Sequence, residues 1–173
     1  MADLGNLGDL RPMTPSDVPA VLAVQAECYE PALIEDESSI RARLAASPDS
    51  AWVVEDDAGV CAYLVAYRSV VGKITPLGGA FAVAAEPAAL YLHDLAVARR
   101  VRGRGAAQAL VSAAGEQARA EGLAHASLVC VQAAREFWQK HGYAVVSVAD
   151  PRQSSHLASY GDRAHYMVKR LHD

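Results

Sequence analysis

Four of the chain's 16 basic residues, Arg99, Arg100, Arg102 and Arg104, crowd into the six positions 99 to 104, interleaved with Gly103 and followed by Gly105. A glycine-rich turn that runs into a helix exposes unpaired backbone N–H groups at the positive end of the helix dipole, which together attract an anion. Arginines at that end are disfavoured by about 0.3 to 1 kcal/mol each unless an anion sits among them or they point into solvent. The pattern therefore reads as a phosphate-type site. It belongs to neither of two common phosphate motifs. The dinucleotide fingerprint Gly-x-Gly-x-x-Gly would need glycine where Gln108 stands, and the P-loop pattern occurs nowhere.

The elements that must position this turn follow from periodicity. Leu90 to Val97 is an apolar strand that leads into it, and Ala106, Ala109, Leu110, Ala113, Ala114 and Ala118 recur at helical spacing up to Gly122, a natural stop. Upstream, Thr14-Pro15-Ser16-Asp17 starts a helix over about 16–28. Glu37 to Ala46 forms a second helix ended by Ser47-Pro48, and Ala51–Glu55, Asp56-Asp57-Ala58-Gly59 and Val60–Tyr67 read as strand, tight turn, strand. An acidic loop, Tyr29-Glu30-Pro31 through Glu35-Asp36-Glu37, joins the two helices, and residues 69 to 88 form a glycine- and proline-marked connection. Downstream come a strand at Ser127–Val131, a short helix at Ala133–Lys140 stopped at Gly142, a strand at Tyr143–Val148, a polar segment from Ser154 to Gly161 and a last strand at Ala164–Leu171. This order gives a mixed α/β fold on one sheet, and a length of 173 residues predicts one domain over 1–173.

The whole-chain balance is mildly acidic, at a net charge of -4, and only 6% of residues are aromatic. No nucleic-acid partner is expected from that balance, nor an anionic membrane surface. No uncharged stretch reaches the 18 or so residues of a membrane helix. Three cysteines without a C-x-x-C pair and the lack of a signal-like start predict a cytoplasmic protein. The six histidines show no metal-binding spacing, so no metal is expected.

Arg102-Gly103-Arg104-Gly105-Ala106-Ala107 matches the Gln/Arg-x-x-Gly-x-Gly/Ala loop of the GNAT family of N-acetyltransferases. Leu92-His93-Asp94-Leu95-Ala96-Val97 before it, and Phe137-Trp138-Gln139-Lys140-His141-Gly142-Tyr143 after it, resemble that family's fourth strand and the short helix before its sixth. The resemblance implies the acyl-CoA N-acyltransferase fold: a mostly antiparallel central sheet splayed between strands 4 and 5 and flanked by helices. It also implies acetyl-CoA as acyl donor. Its pyrophosphate would rest on the amides of Gly103, Arg104, Gly105, Ala106, Ala107 and Gln108. Its pantetheine would pair with Leu95, Ala96 and Val97, with Trp138 packing nearby, Arg102 opening the loop, and Arg99, Arg100 or Arg104 reaching the ribose phosphate. Dimers are common in that family, which raises a homodimer.

Transfer of an acetyl group to an amine needs a neutral amine, a donor to the oxyanion and a proton for the departing thiolate. The resemblance assigns the oxyanion to the N–H of Val97. His93 and Asp94 are adjacent on a strand and point to opposite faces, so one of them faces the amine. Asp94 is the first choice as base or substrate contact and His93 the rival. The family often has a tyrosine as acid where this chain has Trp138, whose indole is no acid, and this chain also lacks the family's usual asparagine near the end of strand 5, with Val131 there and Gln132 beside it. Tyr160, in the polar segment bordering the acceptor side of that fold, is the substitute, or solvent protonates a thiolate with a pKa near 8.5. In that fold the loop between the first two helices flanks the acceptor cleft, so the resemblance implies that Tyr29, Glu30, Glu35, Asp36 and Glu37 form a rim that would draw a small cationic amine. The competing expectations are a CoA-binding module without transfer activity and a protein N-terminal or lysine acetyltransferase.

Overall fold

A computed structural model describes residues 7–172, and seven strands in it hydrogen-bond in the order β1-β2-β3-β4-β5-β7-β6. These are β1 (Leu10–Pro12), β2 (Ala51–Asp56), β3 (Gly59–Ser69), β4 (Ala89–Val97), β5 (His125–Cys130), β6 (Ala144–Val145) and β7 (His165–Arg170). The helices are α1 (Val18–Cys28), α2 (Glu37–Ala46), α3 (Ala106–Ala120), α4 (Arg135–Lys140) and α5 (Pro151–Ala158). The expected mixed α/β sheet is what forms. β1 with β2, β2 with β3, β5 with β7 and β6 with β7 run antiparallel, whereas β4 and β5 run parallel. Their ladder extends from Ala89–His125 to Leu92–Leu128, and β4 continues five residues beyond it to Val97. The chain divides into two compact units, Met1–Ala66 with Asp94–Ala114, and Tyr67–His93 with Gly115–Asp173.

In the first unit, Asp17 accepts the Thr14 N–H at 2.7 Å in the capping box of the 3-10 turn Pro15–Asp17 that leads into α1, and α2 starts where Asp36 accepts the Ser39 N–H at 2.8 Å. Such caps satisfy amides that lack an intrahelical partner. Val18, Val21 and Val24 of α1 and Ile40 and Leu44 of α2 are buried, one apolar stripe from each of two packed helices. The β2–β3 hairpin turns at Gly59, which has φ +110. From Cys61 to Tyr67 every side chain of β3 is buried, so this strand is covered on both faces.

In the second unit, α3 ends in a Schellman motif. Gly122, at φ +74, donates to Arg119 O at 3.0 Å, and Leu123 donates to Ala118 O at 2.9 Å. Several details differ from the sequence expectations. β1 forms within a glycine- and aspartate-rich start because Leu10–Pro12 pairs with Trp52–Val54, a partner far along the chain. The strand expected at Tyr143–Val148 shrinks to two residues. The segment expected to be a polar connection is largely helical. Asp150 caps α5 by accepting the Arg152 N–H at 2.8 Å, and Pro151 sits at its first turn, where a missing N–H costs nothing.

Candidate active site

The arginine–glycine turn opens α3 as expected. A short 3-10 turn, Arg99–Val101, precedes Arg102. Gly103 and Gly105 then adopt φ +76 and +90, a left-handed conformation that favours glycine, and a Cβ on either would meet no atom within 4 Å. Open space therefore lies in front of both. The first i→i−4 bond of the helix joins Ala109 N–H to Gly105 O at 3.0 Å, so the amides of its first turn have no intrahelical partner.

The four arginines divide into two pairs. Arg100 forks onto Asp56, with both nitrogens 2.9 Å from the carboxylate oxygens, and this holds the Asp56 carboxyl below its ordinary range. Arg99 is tied to α1, its N–H donating to Glu27 Oε1 and its guanidinium to Glu27 O. Both fasten the turn to the rest of the first unit. Arg102 and Arg104 remain on the exposed turn itself. Cys28 approaches from α1, its Sγ 3.1 Å from Val97 O, and burial pushes its thiol up.

At the end of β4, Asp94 is gripped by two tyrosines. Tyr29 lies 2.7 Å from Oδ1 and Tyr63 lies 2.6 Å from Oδ2. Tyr29 also reaches Leu95 O at 2.8 Å with the same hydroxyl. Burial first, and then the charge of Asp94, pushes both phenols well above 10, so both stay protonated as donors. Both carboxylate oxygens of Asp94 are thus already engaged as acceptors.

The expected acidic rim is mostly committed to structure. Glu35 is buried and forks onto buried Arg43, with one contact at 2.7 Å. Its backbone is clasped by Gln25, whose amide donates to Glu35 O and accepts from Glu35 N, both at 3.0 Å. Asp36 caps α2 and Glu37 pairs with Arg41. Glu30 stays exposed at the head of a 3-10 turn.

In the second unit, His93 lies in an aromatic cluster, its ring centroid 5.4 Å from Phe81, 6.3 Å from Tyr91 and 6.5 Å from Tyr160. Tyr160 donates its hydroxyl to Thr75 O at 2.5 Å. Trp138 is buried in α4 against Phe137 and Tyr143, a packing role. A cavity of about 290 Å3 lies beside this cluster, lined by Tyr67, Lys73, Ile74, Arg152, Gln153 and His156 among others. The sequence reading missed these residues. Asp150-Pro151, a helix-start signal, was the one local clue to the wall that α5 forms. Among the described residues, no three His, Cys, Asp or Glu side chains converge as a metal cage, and no helix is long and apolar enough to cross a membrane.

The fold and the open turn at the head of α3 correspond to an acyltransferase family. Residues 18–143 match the acetyltransferase (GNAT) family, and the chain belongs to it. No curated protein sequence matches the chain. Solved structures show the same fold at low identity. A structure described as GphF, a GNAT-like decarboxylase in complex with isobutyryl-CoA, is 18% identical over 95% of this chain and 100% of that one, with a TM-score of 0.79. Ard1 from Thermoplasma volcanium is 17% identical over 96% and 99%, with a TM-score of 0.69. A structure of the NatC complex bound to Gag peptide and CoA is 16% identical over 95% and 98%, with a TM-score of 0.70.

Proposed function

We propose that the chain acts as one acyltransferase domain that moves the acetyl group of acetyl-CoA to a primary amine of a small molecule, by direct transfer within a ternary complex. The observation that carries this reading is the turn of Arg102 to Gln108. Two left-handed glycines with open space before them head a helix, inside the segment that matches the family. Amides of Gly103 and of Gly105 to Gln108 would hold the diphosphate, with Arg102 and Arg104 as charge-assisted partners. Leu95, Ala96 and Val97 would pair with the pantetheine, and the Val97 N–H would stabilise the oxyanion.

The base in this reading is His93. Asp94, bound by two phenols, is better suited to holding the end of β4 in place. With Tyr160 engaged by a backbone carbonyl, the thiolate leaves and takes its proton from solvent, as its ordinary acidity allows. Three free cysteines suit a reducing compartment, and we place the enzyme in the cytoplasm. The acidic loop offers little support for a polycationic acceptor, because Glu35, Asp36 and Glu37 already have partners.

The test is release of CoA from acetyl-CoA with a panel of amines. Turnover with at least one amine class is expected, and His93→Gln should lower kcat at least a hundred-fold with KM little changed, as loss of a general base does (about 10² to 10⁴). Tight acetyl-CoA binding without CoA release for any amine would overturn the transfer reading. It would favour the second one, a CoA-binding module, to which Trp138 in place of an acid is the pointer.

A further inference from the structure

The cavity in the second unit has an unusual charge composition. Its lining holds Lys73, Arg152 and His156 and no aspartate or glutamate, while Tyr67, Ile74, Pro76, Ala80 and Ala82 supply apolar surface. The carboxylate nearest in sequence, Asp150, is occupied in capping α5. Lys73 meets only a backbone acceptor, Ala82 O at 2.5 Å, which does not neutralise it.

The walls are fixed before any ligand arrives. Ile74 is held by α5 from both sides, its N–H donating to Gln153 Oε1 at 2.7 Å and its carbonyl accepting from His156 Nδ1 at 2.8 Å. Leu77 N–H donates to Ser159 Oγ at 2.9 Å, and Thr75 is bound by Tyr160 at its carbonyl and by Tyr67 at its hydroxyl, 2.6 Å away. A segment pinned at so many points loses little freedom on binding. The hydroxyls of this wall and the oxygen of the Gln153 amide are engaged within it, and Lys73 and Arg152 bring the cationic charge. Arg152 is exposed and Lys73 part-buried, and with no carboxylate in the lining between them their charge is available to an incoming anion.

We infer that this cavity binds the carboxylate of a small organic acid, with the guanidinium of Arg152 and the ammonium of Lys73 on the carboxylate and the carbon skeleton against Ile74, Pro76 and Tyr67. An inorganic anion would leave that apolar wall uncovered. Tyr67 stacks on Phe81 at 4.3 Å, and Phe81 is the edge neighbour of His93, so two successive ring contacts link the cavity lining to the histidine assigned as base. On the transfer reading above, on which this step rests, the acid is the acceptor itself, and the enzyme acylates an amino acid in preference to a diamine.

Two measurements on the full chain separate the site from the reaction. In ligand-observed NMR titrations, pentanoate should bind at least ten-fold more tightly than pentanamide or inorganic phosphate. Arg152→Gln and Lys73→Met should each remove most of that preference, with folding checked by thermal melting; a charge-assisted hydrogen bond is worth roughly ten- to hundred-fold. Equal binding of acid and amide, tighter phosphate, or a preference that survives both substitutions would overturn the site. In turnover with acetyl-CoA, 5-aminopentanoate should exceed 5-aminopentanamide at least ten-fold in kcat/KM. If malonyl-CoA instead outcompetes acetyl-CoA, with that advantage lost in Arg152→Gln, the carboxylate belongs to the donor and the acceptor assignment falls while the site stands. If no amine releases CoA, the transfer reading falls and the titrations alone judge the cavity.

Discussion

The two units treat their positive charges differently. In the first, Arg11 bridges Asp17 and Glu55, Arg43 is buried with Glu35, Arg41 pairs with Glu37, and Arg100 forks onto Asp56. In the second, Arg68 and Lys140 have carboxylate partners, but Lys73 and Arg152 border a cavity whose lining has none. Abundance of arginine is thus a poor guide to anion binding. Half of the cluster that dominates the sequence serves architecture, whereas two cations from unremarkable stretches are left to act on a ligand. What matters is whether a neighbour already neutralises the charge.

Substitution of the two kinds of cation should break this symmetry most sharply. Arg43→Met leaves the Glu35 carboxylate buried without its partner, and such a loss costs about 3 to 5 kcal/mol. For a chain of this size that lowers the melting temperature by roughly 10 °C. Arg152→Met should stay within about 0.5 kcal/mol of the parent, as exposed substitutions usually do. Similar melting curves for the two variants would erase the distinction between structural and ligand-facing charge.

Next in size is the turn itself. Gly105→Val forces a β-branched residue to φ +90 and fills the space in front of the helix. Strain of about 1 to 3 kcal/mol and loss of the approach to the amides should weaken CoA binding about a hundred-fold in a titration. A variant that binds CoA normally would remove the turn from the site.

A smaller effect is expected from Tyr63→Phe, which deletes one of the two phenol donors to Asp94. A hydrogen bond to a charged group is worth about 1.5 to 3 kcal/mol, toward the lower end where the group is part-buried. Urea unfolding should therefore show a loss of about 1.5 kcal/mol. A larger fall in turnover than in stability would return Asp94 to the reaction.

The smallest effect concerns acid stability. Hydrogen bonding from Arg11 holds the Asp17 carboxyl down to about 2, against an ordinary 3.8. A carboxylate depressed in the folded state contributes stability that is complete above its unfolded pKa and drains away as the pH falls through the folded one. Chemical denaturation should register a loss of about 1 kcal/mol from this group between pH 5 and pH 2, after allowance for solvent around Arg11. Asp17→Asn should flatten that part of the curve.

Local chemistry made the helices and the hairpin readable from the residues alone. Asp36 before α2, Gly122 after α3 and Gly59 in the β-turn each act within a few residues of the element they set. β1 escaped notice because three residues carry no periodicity and its pairing is distant. α5 carried a cap and a first-turn proline, but its polar residues concealed a face on which Gln153 and His156 clasp Ile74. In the site, the glycine turn was legible because it is contiguous. The embrace of Asp94 was not, since Tyr29 stands 65 residues before it and Tyr63 31 residues before it.

The side-chain amide of Gln25 occupies both backbone groups of Glu35, while Tyr29 is anchored on Asp94. Only the five residues 30–34 separate these two moorings. A span so short, tied at each end, cannot swing as a door. Its amides should exchange with solvent by local fraying only, at rates set by these two anchors.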